Sequence, residues 1–122
     1  MQGFDFCLPP EPDVLADLRR ALIDWLRQAE ISERARASIV LATHEAAANA
    51  IEHADSHEPV QVRAQLAKGL VTVEVMDRGR WEPQAASGHD RGRGLQLIED
   101  LVFELQIEKD PRGTTLRLLC RI

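Results

Sequence analysis

His44-Glu45-Ala46-Ala47-Ala48-Asn49-Ala50-Ile51-Glu52-His53-Ala54 is the stretch on which the reading of this chain turns. It is the second half of a predicted helix that starts after Ser32, a good N-cap residue, and runs through Ala54. Ile39, Ala42, Ala46 and Ala50 form one stripe of that helix, small enough to lie close against a sheet. Glu45, Asn49 and His53 follow at steps of four, on neighbouring turns of another face. An asparagine among alanines is costly when buried without a partner. Its carboxamide oxygen is, however, a hard ligand suited to magnesium, and a carboxylate one turn earlier can orient or deprotonate a hydroxyl. Taken alone, the stretch reads more simply as a solvent-facing polar stripe.

On the N-terminal side, Phe4-Asp5-Phe6-Cys7-Leu8 alternates and stops at Pro9-Pro10, as a short edge strand does. Pro12-Asp13 introduces a helix carrying Leu15, Leu18, Leu22, Trp25, Leu26 and Ala29 at helical spacing. Beyond Pro59 the period changes to two. Val60, Val62, Ala64 and Leu66 point one way, Lys68-Gly69 makes a hairpin turn, and Val71, Val73 and Val75 mark the returning strand. Arg78 to Arg91 has no period and reads as a surface loop, long enough to suggest function. Leu95 to Val102 is predicted as a short helix. A strand begins at Phe103, Leu105 and Ile107, and after the turn Asp110-Pro111-Arg112-Gly113 a last strand runs from Thr114 to Ile122.

Three further signals fall at the ends of these elements. Asp77 closes an apolar strand just before Gly79, where a carboxylate can accept a hydrogen bond from an exocyclic amine such as adenine's; an ordinary Asp-x-Gly turn is the other reading. Gly92-Arg93-Gly94 precedes the short helix, where free N–H groups and the charges of Arg91 and Arg93 suit phosphate oxygens; a plain loop is the alternative. The spacing fits neither a Rossmann fingerprint nor a P-loop. Gly113-Thr114-Thr115 opens the final strand, with hydroxyls able to reach a base or simply to fill a β-strand. Trp81 reads as a loop anchor or a partner contact, and His57 and His89 as surface residues.

With 122 residues the chain reads as one domain, able to bury roughly two-thirds of its unfolded surface. Apolar residues make up 44% and charged ones 29%, so the composition is that of a globular protein. A net charge of −5 argues against direct binding to nucleic acid, which needs a basic face. Cys7 and Cys120 are read as reduced, partly buried thiols. Neither a basic leader nor an apolar run of spanning length is present, so a cytoplasmic location without membrane attachment is expected.

In this order, the signals resemble the Bergerat-type (histidine-kinase-like) ATP-binding fold, and within it the anti-sigma-factor serine/threonine kinases. Glu45-Ala46-Ala47-Ala48-Asn49-Ala50-Ile51-Glu52-His53-Ala54 looks like the N box of that family. Asp77-Arg78-Gly79-Arg80-Trp81-Glu82-Pro83 looks like its first glycine box, Arg91-Gly92-Arg93-Gly94-Leu95 like its second, and Gly113-Thr114-Thr115 like its last. Trp81 stands where a second glycine is usual, and the following loop leaves room for only a small lid.

The resemblance implies an α/β two-layer sandwich with helices on one face of a mixed, mostly antiparallel sheet. It implies ATP with Mg2+, the metal at Asn49, and nucleotide contacts from His53, Asp77, Gly79, Arg91, Gly92, Arg93, Gly94, Leu95, Thr114 and Thr115. Glu45 occupies the position of the catalytic base toward a serine of an anti-anti-sigma protein. A sigma factor is the second implied partner, and a homodimer the implied assembly, with the helix from Val14 to Ala29 as candidate interface. A domain that binds its partners without phosphorylating them is the alternative, and an ATPase driving dimer closure a third. No phosphoacceptor bundle precedes the domain, so a self-contained sensor kinase is not expected.

Overall fold

The computed structural model describes residues 3–53, 58–78 and 89–122, with the backbone alone at 53 and 89–93. Five strands and three α-helices follow one another as β1 (Phe4–Leu8), α1 (Leu15–Gln28), α2 (Glu33–His53), β2 (Val60–Ala67), β3 (Leu70–Asp77), α3 (His89–Leu101), β4 (Glu104–Asp110) and β5 (Gly113–Arg121). The sheet order is β1-β2-β3-β5-β4, and every described pairing is antiparallel. That is the antiparallel end of the mixed, mostly antiparallel sheet expected, with the helices packed on one face.

Strand alternation sorts the side chains. Phe4 pairs with Ala64, Ala64 with Val73 and Val73 with Leu118; one row along, Val62 pairs with Val75 and Val75 with Leu116. These residues are buried beneath the helices. The opposite parity faces away and carries a ladder of alternating charge across four strands, Asp5, Arg63, Glu74 and Arg117. Arg117 donates to Glu74 at 2.9 Å and lies 3.7 Å from Glu108. The same parity corrects the expectation for Cys7. It lies between two inward-facing residues of β1 and is exposed, whereas Cys120 is buried and its thiol is pushed up to about 11 by desolvation.

α1 lies over β1. Leu18, Leu22, Trp25 and Leu26 are buried, and Trp25 tilts against Phe4 with ring centroids 6.0 Å apart. The helix thus places these leucines in the chain's own core and does not supply the exposed leucines that an interface on this helix requires. A 3-10 turn at Pro12–Val14 leads into it. At its other end Glu30 adopts φ +60°, Glu30 N–H donates to Arg27 and Ile31 N–H to Leu26, a Schellman closure without glycine. Ser32 then caps α2, its Oγ accepting from the Ala35 N–H at 3.2 Å, as the sequence suggests.

α2 crosses the central strands. Ala42, Ala46, Ala47 and Ala50 are 0 to 4% exposed, so the alanine stripe does bring this helix close to the sheet. Lys68 and Gly69 take positive φ at +53° and +77°, the geometry of a tight hairpin turn. α3 packs beside α2 and anchors through Ile98, which is fully buried. It starts six residues earlier than the expected helix, at His89, so Gly92 and Gly94 belong to its opening turns and do not precede them.

Candidate functional site

On α2, Asn49 is only 6% exposed and its amide nitrogen has no hydrogen-bond partner. This rules out the solvent-facing stripe for Asn49. Glu45, one turn earlier, is half-buried. Gly94 of α3 sits against Asn49 so closely that a Cβ there would lie 2.9 Å from Nδ2 and 3.1 Å from Oδ1. The second glycine of the Gly92-Arg93-Gly94 signal therefore makes room for the carboxamide, a role the sequence alone did not reveal.

A second pair of buried polar residues lies at one end of the sheet. Asp77 and Thr114 are register partners on the helix-facing side of β3 and β5, at 8% and 3% exposure. Gly113 permits this: a Cβ there would meet the Asp77 carbonyl oxygen at 1.9 Å. Asp110 shapes the turn, its carboxylate accepting from the N–H groups of Arg112 and Gly113 at 2.7 and 3.2 Å. Thr115 pairs with Met76 on the opposite side of the sheet. Of the two threonines, Thr114 is the one brought to Asp77.

The helix start also relocates the free amides. The four N–H groups that a helix leaves without partners are those of the residue before it and of its first three residues, so with α3 opening at His89 the N–H of Arg91 is among them while those of Gly92, Arg93 and Gly94 are not. Leu95 is half-buried and packs on the core. The side chains of His53, Arg91 and Arg93, together with Gly79, Trp81, Pro83 and His57, lie outside the described residues, as does the side chain of His89.

The residues present fit a metal-bound phosphate compound. A carboxamide offers oxygen to a cation and N–H to an anionic oxygen, and Asn49 is buried with its N–H unused. Among the described residues no cluster of three or more His, Cys, Asp or Glu could hold a metal. Magnesium, which commonly keeps water and ligand oxygens in its shell, suits Asn49 as one donor.

Between α1 and α2 runs a groove of about 480 Å³, floored by Ile23, Ala37, Val40 and Leu41. Across it Arg19 approaches Nδ1 of His44 at 3.0 Å. Burial and then the Arg19 charge lower the His44 pKa from its ordinary 6.5, against an opposing pull from Glu45.

Residues 8–120 match the model of the histidine kinase-like ATPase domain. The chain belongs to that family. Among solved structures it is similar to the RsbU and RsbW domains of Rv1364c from Mycobacterium tuberculosis, with 29% identity over 99% of this chain and a TM-score of 0.83. It spans 32% of that longer chain. The SiaB-SiaC complex from Pseudomonas aeruginosa contains a similar fold at 15% identity and a TM-score of 0.70, covering 95% of this chain and 88% of that one. A histidine kinase domain from Erythrobacter litoralis EL346 matches at 21% identity and a TM-score of 0.61, covering 93% and 61%. For this ATPase family the buried carboxamide is the feature to explain. In addition, no helix among the described residues is long and apolar enough to cross a membrane.

Proposed function

We propose that this chain is an ATP-dependent serine/threonine protein kinase, acting in the cytoplasm as an anti-sigma factor in partner switching. In this reading it holds a sigma factor and phosphorylates a serine of an anti-anti-sigma protein, and it works as a homodimer. The observation that carries the reading is Asn49, a buried carboxamide with an unused donor, one turn from Glu45 and fitted by Gly94. Family membership supports the ATP site, and the 29% identity to a structure containing an RsbW domain supports the partner-switching part.

The roles follow from chemistry. Asn49 would hold Mg2+ through Oδ1 while its N–H meets a phosphate oxygen. The metal, when bound, neutralises charge on the phosphoryl group being transferred. Glu45 would accept the proton of the serine hydroxyl, which requires that it stay ionised and within hydrogen-bond reach. Asp77, seated beside Thr114, would take the exocyclic amine of adenine. His53, Gly79, Thr114 and the run from Arg91 to Leu95 complete the proposed nucleotide contacts. Positioning supplies most of the rate, since phosphoryl transfer asks little covalent chemistry of the protein.

Two substitutions separate the roles. Asn49→Ala should abolish magnesium-dependent ATP binding. Glu45→Ala should leave ATP affinity within about threefold and lower transfer to an anti-anti-sigma protein by roughly 10²-fold or more, the scale of a lost general base. ATP binding with no transfer by wild type to any such protein would leave a binding module and overturn the kinase.

A further inference from the structure

The contact between Arg19 and His44 joins α1 to α2 across their shared groove. A guanidinium has N–H donors and no acceptor, so the ring nitrogen 3.0 Å from it must offer a lone pair. His44 is therefore neutral, with its proton on Nε2. It directly precedes Glu45 on α2 and lines one end of the groove. We propose that His44 is a proton-operated latch that pins α1 to α2 and positions Glu45. The latch stands on the contact itself, and its effect on Glu45 rests on the kinase reading.

Protonation turns Nδ1 from acceptor into donor. The hydrogen bond is then lost, two cations face each other, and an imidazolium is left beside the Glu45 carboxylate. Two charges act on His44: Arg19 of α1 opposes the imidazolium, and Glu45, next in the chain, favours it. Arg27, Glu33 and Arg36 line the same groove two or more turns away along their helices. Burial and Arg19 together prevail over Glu45, which is why the ring is neutral near pH 7. In acid the latch opens, and Glu45 is drawn toward His44 and away from an incoming hydroxyl. His44 is thus a positioning residue, not a catalytic one.

Imidazole nitrogen NMR on the full chain tests this, with wild type, Arg19→Met and His44→Gln compared across the acid-to-neutral range. The signal missing in His44→Gln identifies the residue among the four histidines. The Nε2–H tautomer, a pKa below 6.5, an upward move in Arg19→Met and an Arg19 guanidinium that loosens on acidification are the expected results. An Nδ1–H tautomer, or a pKa that ignores Arg19, overturns the latch. The pH profile of phosphoryl transfer tests the effect on Glu45. Wild-type kcat should fall about tenfold per unit below the His44 pKa. His44→Gln, whose amide oxygen can accept from Arg19 without titrating, should stay flat through that range. Identical profiles overturn the positioning role. Absence of transfer at every pH refutes the kinase and leaves the NMR result to decide the latch.

Discussion

At the scale of single residues, Asn49 is kept where a polar side chain destabilises the fold by itself. A buried, unsatisfied donor costs about 1–3 kcal/mol, and Asn49 has one. Such a residue persists when a ligand uses it. Gly94 protects the same arrangement, because any side chain there pushes on the carboxamide. Gly94→Ala should therefore weaken ATP binding by about tenfold or more, which is ~1.4 kcal/mol, while circular dichroism shows an unchanged fold. An unaltered affinity in that variant would remove Asn49's orientation from the explanation. Much of this site was legible as residue types at fixed spacing: Glu45, Asn49, Asp77 and the threonines each suggest their chemistry in the sequence. Their pairing was not. That Thr114 and not Thr115 meets Asp77 depends on the register of β3 against β5, two strands distant in sequence. Arg19 and His44 are 25 residues apart and meet only because α1 and α2 cross.

At the scale of elements, boundaries followed local signals where those were strong. Ser32 caps α2 as its side chain predicts, and the Lys68-Gly69 turn follows from its residue types. The end of α1 shows what local signals miss. Its Schellman closure places Glu30 at φ +60°, and a glutamate gives no hint of a left-handed conformation. Ile31, 4% exposed, holds the turn by packing. A left-handed backbone costs a residue with a side chain about 1–2 kcal/mol, partly offset by the larger unfolded-state entropy of glycine. Glu30→Gly should thus stabilise the chain by about 0.5–1 kcal/mol, read as a higher urea midpoint at an unchanged slope. A lower midpoint would mean that the Glu30 side chain matters more than its backbone. The early start of α3 was missed for a related reason: glycines read as loop formers, whereas here one of them, Gly94, is selected by contact with α2.

At the scale of the molecule, one sheet with helices on one face leaves an outer surface of ion pairs and an interface layer that carries the proposed chemistry. Exposed pairs such as Arg63 with Asp5 contribute at most about 1 kcal/mol each. His44 adds a pH response of its own. Its pKa is lowered in the folded chain, so on acidification the unfolded chain takes up this proton first. The stabilisation is complete above 6.5, the unfolded value, and is lost as pH falls through the lower folded value. Urea midpoints should accordingly drop in that window for wild type, and drop less for His44→Gln. Equal acid sensitivity in the two proteins would show that other groups control it.

The central claim is that Asn49 is the metal-nucleotide anchor of an ATPase-family domain. Calorimetric titration of ATP into wild type and Asn49→Ala, each with and without Mg2+, tests it directly. Binding by wild type that requires Mg2+ and disappears in Asn49→Ala, with the variant at least as stable to urea, is the expected result. Magnesium-dependent binding that survives in Asn49→Ala, or no binding by folded wild type, would contradict it.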